Sequence, residues 1–129
     1  MNEFITPLDL RAHVPGEWLL LSPLKYQSGA TVITAPAGFV TDLASIPALF
    51  RPLLNSNGRS RRSAVLHDWL YCTKEGARAD ADSLFLEALK ADGVGFAERW
   101  AMYLGVRAGG WMYWGKRDGL SADDFAVVG

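Results

Sequence analysis

Leu66-His67-Asp68-Trp69-Leu70-Tyr71, followed by Arg78-Ala79-Asp80-Ala81-Asp82, decides how this chain is read. The first stretch sits in a predicted helix from about Ser60 to Cys72, with Val65, Leu66, Trp69 and Leu70 as its apolar contacts. The second opens a predicted helix from about Ala77 to Ala91, where Ala81, Leu84, Phe85, Ala88 and Leu89 recur at helical spacing. A connection this short forces the two helices to pack antiparallel. His67 and Tyr71 are spaced i, i+4 and share a face. Asp82 lies on or beside the buried stripe of its helix, so the packing predicts it opposite His67 and Tyr71. Asp68 is turned by about 100° from His67 and faces a neighbouring surface.

A carboxylate bonded to one imidazole nitrogen fixes the tautomer and makes the other nitrogen a better base. Asp82 is the candidate for that role, His67 the candidate base and Tyr71 a second donor to the same carboxylate. Asp68 remains for a hard cation, which would polarise a carbonyl or phosphoryl group beside an activated water. The plain alternative is a buried polar clamp between two helices. Arg78 and Asp80 read first as a solvated face, with Asp80 favoured by the helix dipole near the N-terminus, and otherwise, with Ser45, as supporting residues of the site.

Upstream, Gly38-Phe39-Val40-Thr41-Asp42-Leu43-Ala44-Ser45-Ile46-Pro47 reads as a tight loop leading to a short helix over 48–53, with Ser45 as a cap. Asp42 and Ser45 are either turn and cap residues or, for Asp42, a ligand or orienting group facing the histidine. Residues 1–40 read as β. Glu17 to Tyr26 is broken by Pro23, Gln27-Ser28-Gly29-Ala30 is a turn, and Thr31 to Thr34 completes a hairpin. Downstream, a third helix starts near Phe96 and runs toward Trp114, with Gly105, Gly109 and Gly110 allowing close packing or a break.

The expected fold is therefore α+β and a single domain over 1–129. A small N-terminal antiparallel sheet (1–40) precedes about three helices (48–114) and a tail (115–129). With 129 residues and half of them hydrophobic, the chain can build one core. Five Trp and six Phe are expected mainly in that core. A net charge of −1 gives no pull toward nucleic acid. Cys72 is the single cysteine and reads as a small buried hydrophobe. His13 reads as a surface residue. No apolar run is long enough for a transmembrane segment, and no signal peptide pattern opens the chain.

Two resemblances follow from these motifs. His67-Asp68-x-x-Tyr71 with Ala81-Asp82-x-x-Phe85 resembles the paired catalytic helices of phospholipase A2 enzymes, especially those of parvovirus capsid proteins. That resemblance implies His67 as base, Asp68 as calcium ligand, Asp82 as the residue orienting His67, and Tyr71 in support. Where phospholipases carry a glycine-rich calcium loop, this chain has Gly38 to Pro47 with one glycine. Asp42 then becomes the best further ligand. Over most of its length the chain is similar to a small phage and prophage family known only as a domain of unknown function, on the order G-F-x-T-D-x-A-S-I-P, H-D-x-L-Y, A-D-x-x-F. It implies a phage protein made in the host cytoplasm, either staying with the virion or reaching the envelope at lysis.

Two functions compete on this reading. One is a lipid ester hydrolase acting on phospholipid or another envelope substrate, with a divalent cation. In it, Trp111, Tyr113 and Trp114 would meet a membrane, and Arg51, Arg59, Arg61 and Arg62 would meet anionic headgroups. Their plainer reading is packing against the sheet and a solvated basic surface. The other is a non-catalytic virion, tail or assembly protein that contacts other phage proteins.

Overall fold

The computed structural model describes residues 2–12, 17–41, 59–74, 76–112 and 114. His13, Asp42, Ser45, Arg51, Tyr113, the expected helix over 48–53 and the tail over 115–129 lie outside them.

The β region forms two antiparallel sheets rather than the one expected. The first has the order β1 (Glu3–Phe4), β4 (Leu24–Ser28), β5 (Thr31–Ala35). The second has the order β2 (Leu10–Ala12), β3 (Trp18–Leu20), β6 (Val40–Thr41). Leu21-Ser22-Pro23 separates β3 from β4 and sends them to different sheets, because proline cannot donate to a continuous ladder. The β4–β5 hairpin closes with Ser28 opposite Thr31, and Gly29 takes the positive φ (58°) of such a turn. Val40–Thr41, expected as loop, pairs with Trp18 and Leu19. Gly38 reverses the chain at φ 93°, and Phe39 drops into the core beside the new strand.

Three helices follow among the described residues: α1 (Arg61–Thr73), α2 (Arg78–Ala91) and α3 (Phe96–Gly109), the last continued by a 3-10 turn over Gly110–Met112. α1 is buried nearly all round. Its Val65, Leu66, Trp69 and Cys72 join Leu20, Leu24, Tyr26, Ala35 and Phe39 from the sheets in one core cluster. Its Ala64 joins Phe85, Leu89, Val94, Met102 and Val106 from α2 and α3 in a second. A helix apolar on more than one face must lie between two layers, and α1 does. Cys72 packs in the first cluster as expected.

Two expectations about side chains fail. Trp18, Trp100 and Trp111 are exposed, and only Trp69 of the described tryptophans is fully buried. α3 turns Met102 and Val106 inward, and Gly110 takes the next position of that stripe. Trp111, one residue on, therefore leaves the core, and Trp114 stands edge-on to Tyr71. Arg62 is no free surface cation. It pairs with both oxygens of Asp92 (2.6 and 3.0 Å), which caps the C-terminal end of α2, and its guanidinium lies 4.7 Å from the Phe4 ring centroid.

Phe39 sits edge-on to Trp69 with centroids 5.1 Å apart and joins the 38–41 segment to α1. Phe39→Ala is expected to cost about 3–5 kcal/mol by urea denaturation, the usual loss for a fully buried aromatic. A cost below about 1 kcal/mol would show that this segment is not anchored through Phe39.

Candidate functional site

The site is built around one carboxylate. The short connection after α1 brings α2 back antiparallel and sets Asp82 against His67 and Tyr71, one turn apart on α1. Asp82 Oδ1 lies 2.7 Å from His67 Nε2 and accepts from the Tyr71 hydroxyl at 2.6 Å. Its Oδ2 accepts from Arg107 Nη1 at 2.8 Å and, more weakly, from Arg78 Nη1 at 3.4 Å. Arg107 comes from α3, so the carboxylate is held by all three helices. Arg78 also donates to the Val106 and Arg107 carbonyls at 3.1 and 3.3 Å, at the C-terminal end of α3 where a cation suits the dipole.

Aromatic rings close the cluster. The His67 ring lies 4.2 Å from Tyr71 and 4.7 Å from Phe85, centroid to centroid. Trp114 stands edge-on to Tyr71 at 5.0 Å. Gly110 lies against the Tyr71 hydroxyl so closely that a Cβ there would fall 2.5 Å from it. His67 and Asp82 are 0 % exposed and Tyr71 1 %. Only Arg78 and Arg107 reach partly to solvent.

These surroundings assign the protons. Burial pushes the His67 pKa down, because the charged ring loses its hydration, and this outweighs the pull of Asp82 in the other direction. Burial alone would raise the Asp82 carboxyl, but hydrogen bonds from His67, Tyr71 and Arg107 together hold it below the usual carboxylate range. Burial, with the bond to Asp82, also pushes the Tyr71 hydroxyl up, so it remains a donor. An ionised Asp82 only accepts, so the neutral imidazole carries its proton on Nε2.

Asp68 looks the other way, as its offset from His67 predicts. It is buried, and its Oδ2 accepts from the Thr41 hydroxyl at 2.6 Å. The Gly38 to Thr41 segment thus meets the His-Asp helix through Thr41 as well as Phe39. Asp80 is exposed in the first turn of α2, apart from the cluster.

The structure therefore brings together His67, Tyr71, Asp82 and Arg78. Arg78 is a partner of the cluster rather than part of a solvated face. It separates Asp68 and Asp80 from them. Arg107 and Thr41 were not anticipated, whereas Gly110, expected to allow close packing or a break, gives the close approach to Tyr71. Arg107 had one signal, a lone cation in the otherwise apolar and small run Leu104-Gly105-Val106-Arg107-Ala108-Gly109-Gly110.

A calcium ion takes six to eight oxygens. Among the described residues Asp68 and Thr41 bring two side chains, both occupied with each other, and Asp82 has both oxygens engaged. No group of three or more His, Cys, Asp or Glu among the described residues could hold a metal. Asp42, the further ligand expected from the sequence, lies outside the described residues.

A model of the family described as "Protein of unknown function (DUF1353)" matches residues 18–106, from β3 to the residue before Arg107. No curated protein and no solved structure matches the chain.

The Gly110 contact gives a direct check on the cluster. Gly110→Ala must displace the Tyr71 ring, with its hydroxyl and two ring carbons all within 3.2 Å of the new Cβ. It should destabilise by about 1–3 kcal/mol. Gly76→Ala, which meets only Asp80 Oδ2 at 3.8 Å, should be close to neutral. Equal thermal midpoints for the two variants would contradict the packing described.

Proposed function

The chain belongs to the DUF1353 family, and from that membership and the site geometry we propose a non-catalytic role: a phage virion, tail or assembly domain whose helices are locked by the Asp82 cluster. The observation that carries this reading is the sealing of the reactive groups. A general base has to come within hydrogen-bond reach of the proton it removes. His67, Asp82 and Tyr71 are all at or near zero exposure. Both oxygens of Asp82 are engaged, and two guanidinium groups offset its charge.

A network of this kind suits a clamp. It fixes one register of three helices, since a slip of one residue would leave a buried charge without partners. The chain also presents an apolar, partly aromatic stripe on α3, which suits contact with another protein. The phage setting follows the motif resemblance in Gly38 to Pro47, His67 to Tyr71 and Ala81 to Phe85.

A second reading is favoured by one observation, the 2.7 Å contact from His67 Nε2 to Asp82 Oδ1. It is the orientation a histidine base needs. In that reading the chain is a lipid ester hydrolase, with His67 as base, Asp82 and Tyr71 as positioning residues, and Asp68 with Asp42 toward a cation.

Hydrolysis of phosphatidylglycerol–phosphatidylethanolamine vesicles, with and without calcium, separates the two. The clamp reading expects wild type and His67→Gln to release the same background of fatty acid. It also expects Asp82→Ala to lose about 3–5 kcal/mol of stability, as when one partner of a buried charge network is removed. Fatty acid release by wild type that His67→Gln abolishes, in a variant that remains folded, would overturn it in favour of the hydrolase.

A further inference from the structure

The most exposed residues of α3 and its 3-10 extension are all apolar, with Glu98, Tyr103 and Arg107 half-buried among them. Between Phe96 and Met112 the exposed residues are Phe96, Ala97, Trp100, Ala101, Leu104, Ala108, Trp111 and Met112. The large ones are well exposed: Phe96 68 %, Trp100 38 %, Leu104 59 %, Trp111 65 %, Met112 56 %. Phe96, Trp100, Leu104 and Ala108 follow at i, i+4, i+8 and i+12, so they form one continuous stripe.

Its electrical character narrows the occupant. An amphipathic helix that lies on an anionic membrane carries outward Lys and Arg along its polar face. The two arginines of α3 are held by the protein itself. Arg99 lies over Phe96 at 5.3 Å and donates to the Val94 carbonyl at 3.2 Å. Arg107 donates to Asp82 at 2.8 Å. Glu98, half-buried in the first turn, adds a negative charge there, so α3 offers no outward basic row for an anionic surface, and its apolar stripe suits an equally apolar helix.

We infer that this face pairs with the same face of a second copy, α3 against α3, antiparallel about a two-fold axis at Leu104. The sequence is self-complementary in that register. Leu104 meets Leu104, Trp100 faces Ala108 of the other copy, and Trp111 faces Ala97. Each indole stands opposite an alanine, the large-against-small arrangement that lets two helices approach. An isologous pairing of this kind closes on itself and leaves no apolar stripe outside. The five large side chains present on the order of 500 Å² of apolar surface per copy. Covering both copies buries about 1,000 Å², the lower end of what a specific interface requires, so the dimer is expected to be weak. This pairing deepens the assembly reading of the Asp82 cluster, which holds α3 in place from its other side.

Sedimentation velocity of the full chain, in a series reaching hundreds of micromolar, tests it. Wild type is expected to move from monomer to dimer with concentration. Leu104→Glu and Leu104→Lys are each expected to weaken association at least tenfold while keeping the wild-type melting temperature, since Leu104 is exposed. An equimolar mixture of the two is expected to recover the dimer, because residue 104 meets residue 104 only at a two-fold axis. A wild type that stays monomeric overturns the inference, as does dimerisation that Leu104→Glu leaves intact. A mixture that stays monomeric overturns the axis at Leu104. Binding of monomeric wild type to phosphatidylglycerol vesicles, lost in Leu104→Glu, would assign the face to a lipid surface instead. Vesicle hydrolysis dependent on His67 would remove the assembly reading and leave the self-association result standing on its own.

Discussion

The structure depends on one buried anion. Asp82 has no exposure to solvent, and an ionised carboxylate there is tolerable only because donors surround it. His67 and Tyr71 of α1, Arg78 of its own helix and Arg107 of α3 supply them. Each donor constrains an element. The i, i+4 pair sets the rotation of α1, Arg107 sets that of α3, and Gly110 yields the space that lets Tyr71 reach its acceptor. Replacing the whole cluster by well-packed apolar residues need not cost stability, but removing one member leaves the others buried and unmatched. On the clamp reading, the cluster fixes one packing of the three helices.

α1 carries this constraint to the rest of the chain. Its His67 and Tyr71 side faces the helices, while Val65, Leu66, Trp69 and Cys72 face the sheets. Asp68, one residue from His67, reaches Thr41 at the end of β6, and Trp69 receives Phe39. The two most distinctive stretches of the sequence, Gly38 to Pro47 and Leu66 to Tyr71, are thus in contact through two separate interactions. A change in the position of α1 would be felt at both the Asp82 cluster and the 38–41 segment.

The helices were legible because 3.6-residue periodicity is a local property, and the His67–Tyr71–Asp82 meeting was legible because a short connection leaves α2 one way to return. Arg107 was hidden, since its partner lies 25 residues away and nothing local sets how α3 crosses α2. Val40–Thr41 read as loop because a two-residue strand exists only through its pairing with β3. The division into two sheets was missed for the same reason, although Pro23 marked the break. Trp111 was expected against a sheet, and its exposure follows from Gly110 holding the inward position. Arg78 and Arg62 looked like surface charge because the sequence does not show which carboxylate a long side chain will reach.

The central claim is that His67 is a neutral, sealed donor fixed on Asp82. Nitrogen-edited NMR of the imidazole, with His67→Gln used to tell its signals from those of His13, measures this directly. An unperturbed histidine takes up its proton near pH 6.5. The account predicts a neutral His67 with the proton on Nε2, exchanging slowly with water and showing no titration from pH 8 down through that value. A ring that protonates near the ordinary histidine pKa and exchanges rapidly would contradict it, and would place His67 at an open, solvated site.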